Sequence, residues 1–331
     1  MKLLKSLVMV WWLCLLGGST NAMPVSGGEG AITLGNLSFK TLSSWVSGID
    51  SVTSVIPFTR AGNLIILQGK ADTTAGNFIL DTGAQHLVLN IIYFRDYPKI
   101  PVKGAERTSV AGVSAPVIKT IVKSFVFGEM KFVRPKADLI DLGHIENTKG
   151  IKILGLLGME LFRQCEVIID YENSLLYVHQ IAKKQAQTYK SSLLADTSAY
   201  QTVPISLNDN RIVARLEMDG KNLDFIIDCG AETNLLDSRL PNKVFENVII
   251  TGRVLVNGTG TRKIEALSGS ANKLTLGGTA IGAMPVLITN LGNTCFSYNG
   301  CIQGVLGFDF LSFNKNKIGF NFVTRKMYIW K

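Results

Sequence analysis

Two short runs hold the residues with which this sequence could do chemistry. Asp81-Thr82-Gly83-Ala84 and Asp228-Cys229-Gly230-Ala231 each follow an apolar triplet, Phe78-Ile79-Leu80 or Phe225-Ile226-Ile227, at an offset of 147 residues. A carboxylate at the end of a buried strand is costly, because desolvation disfavours its charged form. Two such groups brought together cannot both ionise, so the pair holds one proton and presents a base and an acid at once. The base draws a proton from a bound water, the acid hydrogen-bonds a carbonyl oxygen, and the leaving nitrogen is protonated after the water attacks. Asp81 and Asp228 are the candidate catalytic pair. Gly83 and Gly230 let the backbone turn tightly and bring an amide N–H to the carboxylates. This chemistry requires no cofactor and no metal. The cysteines and the widely spaced His86, His144 and His179 have no zinc-ligand spacing.

The elements that must position these residues are visible as an internal repeat. Ile56-Pro57-Phe58 matches Val203-Pro204-Ile205, and Asn63-Leu64-Ile65 matches Asn210-Arg211-Ile212, both at the offset of the acidic runs. Later, Phe127-Gly128-Glu129 matches Leu276-Gly277-Gly278, and Leu156-Leu157-Gly158 matches Val305-Leu306-Gly307. The spacing predicts two similar units, residues 50–181 and 200–331, joined by a polar linker over 182–199, with an N-terminal extension over 23–49. Each unit reads as mostly strand: Ile65 to Ala71 and Ile212 to Met218 are β-type runs, and Asp219-Gly220 signals a hairpin. Met159 to Arg163 and Phe308 to Leu311 are the short-helix candidates.

Two Asp-x-Gly-Ala runs, each with its later apolar-apolar-Gly segment, resemble the pepsin- and retropepsin-like aspartic peptidases. The similarity is greatest to exported bacterial aspartyl protease family proteins with two retropepsin-like repeats, and it extends over nearly all of residues 23–331. The resemblance implies an all-β, bilobal pepsin-like fold built from two homologous retropepsin-like β-barrel lobes. It also implies an aspartic-type endopeptidase that hydrolyses a peptide or protein substrate. With both acidic motifs in one chain, a monomer suffices for the pair. The family pattern makes Thr82 and Cys229 supports that interlock the two loops, although a thiol is a weaker donor than the usual hydroxyl. Leu157-Gly158 and Leu306-Gly307 take the place of the buttressing segments. By chain order a substrate flap falls between Thr108 and Ile118, around Ala111, Gly112 and Val113, without the tyrosine of pepsin's flap. The alternative is a catalytically inactive peptide- or glycan-binding protein, or an inhibitor, on the same bilobal scaffold.

Composition is compatible with both. The chain has 331 residues, 47% apolar and 18% charged, which excludes a disordered class. Its net charge of +9 is dispersed, without the clustered basic patch that nucleic-acid binding needs. Residues 1–22 read as a secretory signal peptide: Lys2 and Lys5, an apolar stretch from Leu7 to Leu16, then small residues ending at Ala22. An exported protein, periplasmic or secreted, is expected, with no stable membrane span after cleavage. Export permits disulfides. Cys295 and Cys301 flank a short loop and are expected to close it, although the four later cysteines allow three pairings.

Overall fold

The structure, a computed structural model, describes residues 7–8, 53–108, 114–182, 188–257, 263–292, 295–296, 300–313 and 317–331. Both halves of the chain build the same arrangement of strands. In the first, Leu64–Ala71 runs antiparallel to Thr74–Leu80; in the second, Arg211–Met218 runs antiparallel to Lys221–Ile227. The second hairpin turns at Asp219 and Gly220, with φ of 49° and 75°, the left-handed pair that an Asp-Gly two-residue turn supplies.

The ends of the second strand of each hairpin are fully enclosed: Phe78, Ile79, Leu80, Phe225, Ile226 and Ile227 are all buried. Their continuous apolar runs are explained by pairing on both sides. Thr74–Leu80 lies parallel to Gly155–Leu157, and Lys221–Ile227 lies parallel to Gly304–Leu306 in the same register. Those short strands pair on their other side, antiparallel, with Leu87–Asn90 and Leu235–Asp237. The close approach explains the glycines that open the short strands. A Cβ at Gly155 would meet the Val88 carbonyl and the Phe78 ring, and one at Gly304 the Phe225 ring and the Leu235 carbonyl, all closer than 3.0 Å. Short helices follow, Met159–Phe162 as a 3₁₀ turn and Phe308–Leu311 as one α-turn. The helices Gly143–Lys149 and Asn242–Phe245 carry too few apolar positions to be read from periodicity.

The architecture is mainly β and two-lobed, but the two β-barrels expected from the resemblance are not formed: among the described residues no sheet closes on itself. An 11-stranded sheet runs from Leu7–Val8, beside Ile100–Thr108, to Met130–Val133. A 15-stranded sheet runs from Val248–Asn257 to Thr53–Pro57. Closure would require a half's own terminal strands to pair with one another. Instead the first half gives Thr53–Pro57, Cys165–Asp170 and Leu175–Gln180 to a layer shared with the second half. Cys165–Asp170 lies antiparallel to Lys317–Asn321, which pairs with Lys326–Trp330 and so leads to Tyr200–Asn208. The core follows this union: one cluster of buried side chains contains Phe78, Phe127 and Phe162 together with Phe225, Phe320 and Met327.

The enclosure of Gly304 yields a stability prediction. Gly304→Ala pushes a methyl group into the Phe225 ring and a backbone carbonyl, and overpacking of this kind costs about 1–3 kcal/mol. Thermal denaturation should show a lower Tm than for the control Gly252→Ala, whose added Cβ meets only the Ser268 hydroxyl, at 3.3 Å. Equal Tm values would contradict the close pairing of Lys221–Ile227 with Gly304–Leu306.

Candidate active site

Each acidic residue sits one step past the end of its buried strand. The amide of Asp81 donates to the Leu157 carbonyl at 3.1 Å, and that of Asp228 to the Leu306 carbonyl at 2.9 Å, continuing the parallel pairings. The chain then turns, with Ala84 N–H on the Asp81 carbonyl and Ala231 N–H on the Asp228 carbonyl. The turns bring the carboxyl groups to one place: a Cβ built on Gly230 would lie 2.8 Å from Asp81 Oδ1 and 2.9 Å from Asp228 Oδ1. Each is only 2% exposed. Glycine is obligatory beside them: a Cβ on Gly83 would lie 2.5 Å from Asp228 Oδ2, and one on Gly230 2.8 Å from Asp81 Oδ1.

The loops are tied crosswise. Thr82 Oγ1 donates to the Ile227 carbonyl at 2.8 Å and accepts the Cys229 amide at 2.8 Å. Cys229 Sγ donates to the Leu80 carbonyl at 3.2 Å, so the thiol stands opposite the hydroxyl in the same pattern. Burial and the two nearby carboxyls push the Cys229 pKa up, leaving it a neutral thiol. Leu157 and Leu306 lie fully buried behind the two acidic residues. Gly158 and Gly307 pass so close to the loops that a Cβ would strike the His86 backbone and the Thr233 and Ala231 carbonyls, respectively.

Burial acts on both carboxyl groups in the same direction. Backbone amides of Gly83 and Ala84 donate to Asp81 Oδ1 at 2.9 and 3.0 Å, and that of Gly230 to Asp228 Oδ1 at 2.8 Å. Despite these donors, burial raises Asp81 well above the usual carboxylate range, and repulsion from Asp228 adds to it. Burial also raises Asp228, to about 6, against the pull of Asp81 as a hydrogen-bond donor, two backbone amides and the positive charge of Arg211. One proton shared between the two is the state this geometry favours.

Sequence reasoning did not single out Arg211, Lys149 or the asparagine pair. Arg211 is 2% exposed and its Nε donates to the Gly83 carbonyl at 3.1 Å. The detectable signal is a charged residue opening a buried apolar strand where the first repeat has Leu64. Asn63 Nδ2 reaches the Glu232 carbonyl and Asn210 Nδ2 the Gln85 carbonyl, each at 3.5 Å, a reciprocal contact between the halves. Lys149 forms a part-buried ion pair with Glu232. His86 meets Glu160 at 2.7 Å, and Thr233 donates to Asp309 at 2.7 Å, so each loop is also tied to the short helix that follows its buttressing strand.

Ala111, Gly112 and Val113 lie outside the described residues; Ile100–Thr108 and Ser114–Ile121, which pair antiparallel, lead to them. The expected Cys295–Cys301 bridge involves a side chain outside the described ones, although the two residues face each other in antiparallel register. Cys165 and Cys229 are free and buried. Among the described residues no helix is long and apolar enough to cross a membrane.

The family described as "Aspartyl protease" matches residues 67–161 and, a second time, residues 214–310. No curated protein matches the chain. Among solved structures, basic 7S globulin from soybean is similar at 10% identity with a TM-score of 0.42, covering 86% of this chain and 95% of that one. An aspartic proteinase from Irpex lacteus is similar at 11% identity with a TM-score of 0.46, covering 84% of this chain and 97% of that one.

Two outcomes follow from the site's hydrogen bonds and burial. Thr82→Val removes the acceptor of a buried amide, which costs about 1–3 kcal/mol, whereas Cys229→Ser keeps a donor to the Leu80 carbonyl and should change stability little; denaturant unfolding of the two variants distinguishes them. Because folding raises both carboxyl pKa values, the folded state binds more protons than the unfolded chain above about pH 4. This contribution to stability is complete below that pH and is lost as pH rises through about 6 and beyond. Asp228→Asn should therefore raise Tm at pH 8 and lose that advantage at pH 4. A Tm difference independent of pH would contradict the assignment.

Proposed function

The chain belongs to the aspartyl protease family, and from that premise we propose that it is an exported aspartic-type endopeptidase. Asp81 and Asp228 are its catalytic residues. The observation that supports the reading is the convergence of two buried carboxyl groups on the crosswise-tied loops, both beside the Cβ position of Gly230. Protein folding gains nothing from holding two acids against each other, whereas acid–base chemistry needs such a pair. The anionic carboxyl takes a proton from a water held between the pair. The protonated one hydrogen-bonds the oxygen of the scissile carbonyl, and the resulting diol collapses as the amide nitrogen is protonated.

Thr82, Cys229 and the two glycines hold the carboxyl groups in register, and Leu157-Gly158 and Leu306-Gly307 support them from behind. The segment around Gly112 is proposed as the flap over a bound peptide. Residues 1–22 are proposed to direct export and to be removed, leaving units 50–181 and 200–331 joined through 182–199. A monomer then contains the whole pair. Ala84 and Ala231 offer no hydroxyl to the carboxylates, so the anion is less stabilised than it would be with such a donor, and the working range lies in mild acid.

The test uses the chain from Met23 against mixed peptides between pH 3 and 7. Cleavage should peak above pH 3 and be blocked by a statine-type transition-state mimic. Asp81→Asn and Asp228→Asn should each lower kcat/KM by about 10³-fold or more. Equal cleavage by all three proteins would end the enzyme reading, and a rate still climbing below pH 3 would refute the mild-acid range.

A further inference from the structure

The duplication leaves a groove in the first half that the second half fills. Ser54 and Gln201 hold matching places in the repeat, as do Leu161 and Phe310, and Gln164 and Phe313. In the second half the Gln201 side-chain amide donates to the Leu276 carbonyl at 2.8 Å. With Phe310 and Phe313 it reduces the space beside Thr279–Ile281 to about 100 Å³. In the first half the shorter Ser54 accepts the Glu129 amide at 3.3 Å. The space beside Met130–Val133 is about 520 Å³, and a second space of about 450 Å³ continues it along the same strand.

One wall of this groove is a sheet edge. Met130–Val133 pairs antiparallel with Ser124–Phe127, and among the described residues no strand pairs with its other side. The two-residue turn Gly128-Glu129 makes Phe127 and Met130 a hydrogen-bonded pair. Arg134 N–H donates to the Lys123 carbonyl at 3.0 Å in the same alternation. The N–H and C=O groups of Lys131 and Val133 therefore face the open side of the strand. Met130 and Phe132 pack against the core, whereas Lys131 is exposed and Val133 is 74% exposed.

The groove is also basic. Lys131, Arg134, Lys136 and Arg163 line it. Among the described residues none of the four forms an ion pair, and Arg163 bonds the neutral side chain of Asn210. Of the two acids there, Glu160 already faces His86 at 2.7 Å. Cations and a proline on a short edge guard it against pairing with a like strand. A second copy of this chain, added antiparallel at this edge, would set the same cations against these. An acidic strand meets attraction instead.

We propose that this groove is a docking site for an extended acidic segment of another protein, added as a strand to Met130–Val133. The segment's backbone pairs with Lys131 and Val133. Its side chains alternate: apolar ones lie on the side of Met130, Phe132 and Leu161, and acidic ones beside Lys131 and Arg134. None of the lining residues belongs to the Asp81 or Asp228 motif runs, and the site does not rest on the proposed function.

The test uses the ¹⁵N-labelled chain from Met23 and a capped peptide of four Val-Glu repeats, with four Val-Lys repeats as the control. A statine-type mimic is present to occupy the Asp81–Asp228 site. The acidic peptide should shift the Lys131 and Val133 amide signals and slow their hydrogen exchange, and added salt should weaken its binding. The basic peptide should do neither. The double substitution Lys131→Glu with Arg134→Glu should weaken binding by about tenfold or more. Ser54→Gln, which installs the residue of the second half, should weaken it with no change of charge; if that variant fails to fold, the charge reversal decides. Unmoved Lys131 and Val133 amides at millimolar peptide overturn the proposal. So does equal binding of the two peptides, or slow exchange of both amides before any peptide is added, whether from a second copy or from this chain's own residues. Failure of the mimic to bind would count against the proposed function and leave the amide readout decisive for the groove.

Discussion

Two acids cannot be buried side by side unless one of them stays protonated, and the surrounding structure is organised around meeting that condition. Asp81 and Asp228 come from strands in different halves of the chain, so their contact survives only if the halves cannot drift apart. Repulsion and desolvation both favour separation or protonation. The crosswise hydrogen bonds of Thr82 and Cys229, the reciprocal reach of Asn63 and Asn210, and the Lys149–Glu232 ion pair all span the two halves beside the acids. Beneath them the shared layer of strands joins the halves through continuous backbone hydrogen bonding.

Much of this was legible in the sequence because duplication writes itself twice. The offset of the two Asp-x-Gly-Ala runs, the buried triplets before them and the Gly segments after them give strands in the same register in both halves. The Asp219-Gly220 turn and the helical turns after Gly158 and Gly307 were equally readable, since local chemistry alone determines them. What could not be read is the choice of partner. Cys165–Asp170 has the same apolar content whether it closes a barrel in its own half or pairs with Lys317–Asn321 in the other. Only the three-dimensional arrangement decides between them. Arg211 escaped for a related reason: one arginine at the start of a strand looks like a solvated edge until the fold encloses it.

The repeat is also informative where it fails. Thr82 and Cys229 differ in donor strength but keep one geometry, so the substitution changes the strength of a tie and not its pattern. Leu64 and Arg211 differ in charge while sharing burial. Gln85 and Glu232 differ in charge as well, and the acidic member gains Lys149 as its counterion. A near-symmetric scaffold is thus given two unlike sides by very few side chains.

The shared layer bears on what a severed backbone would do. Cutting the chain between Gln180 and Tyr200 would leave one piece in which Cys165–Asp170 kept Leu175–Gln180 on one side and was bare on the other, and another in which Lys317–Asn321 presented the complementary bare edge. Each piece would be prone to stray self-association, and each would offer the other the one template that satisfies it. The native arrangement of the halves thus depends on the ladder that crosses between them as well as on the peptide link.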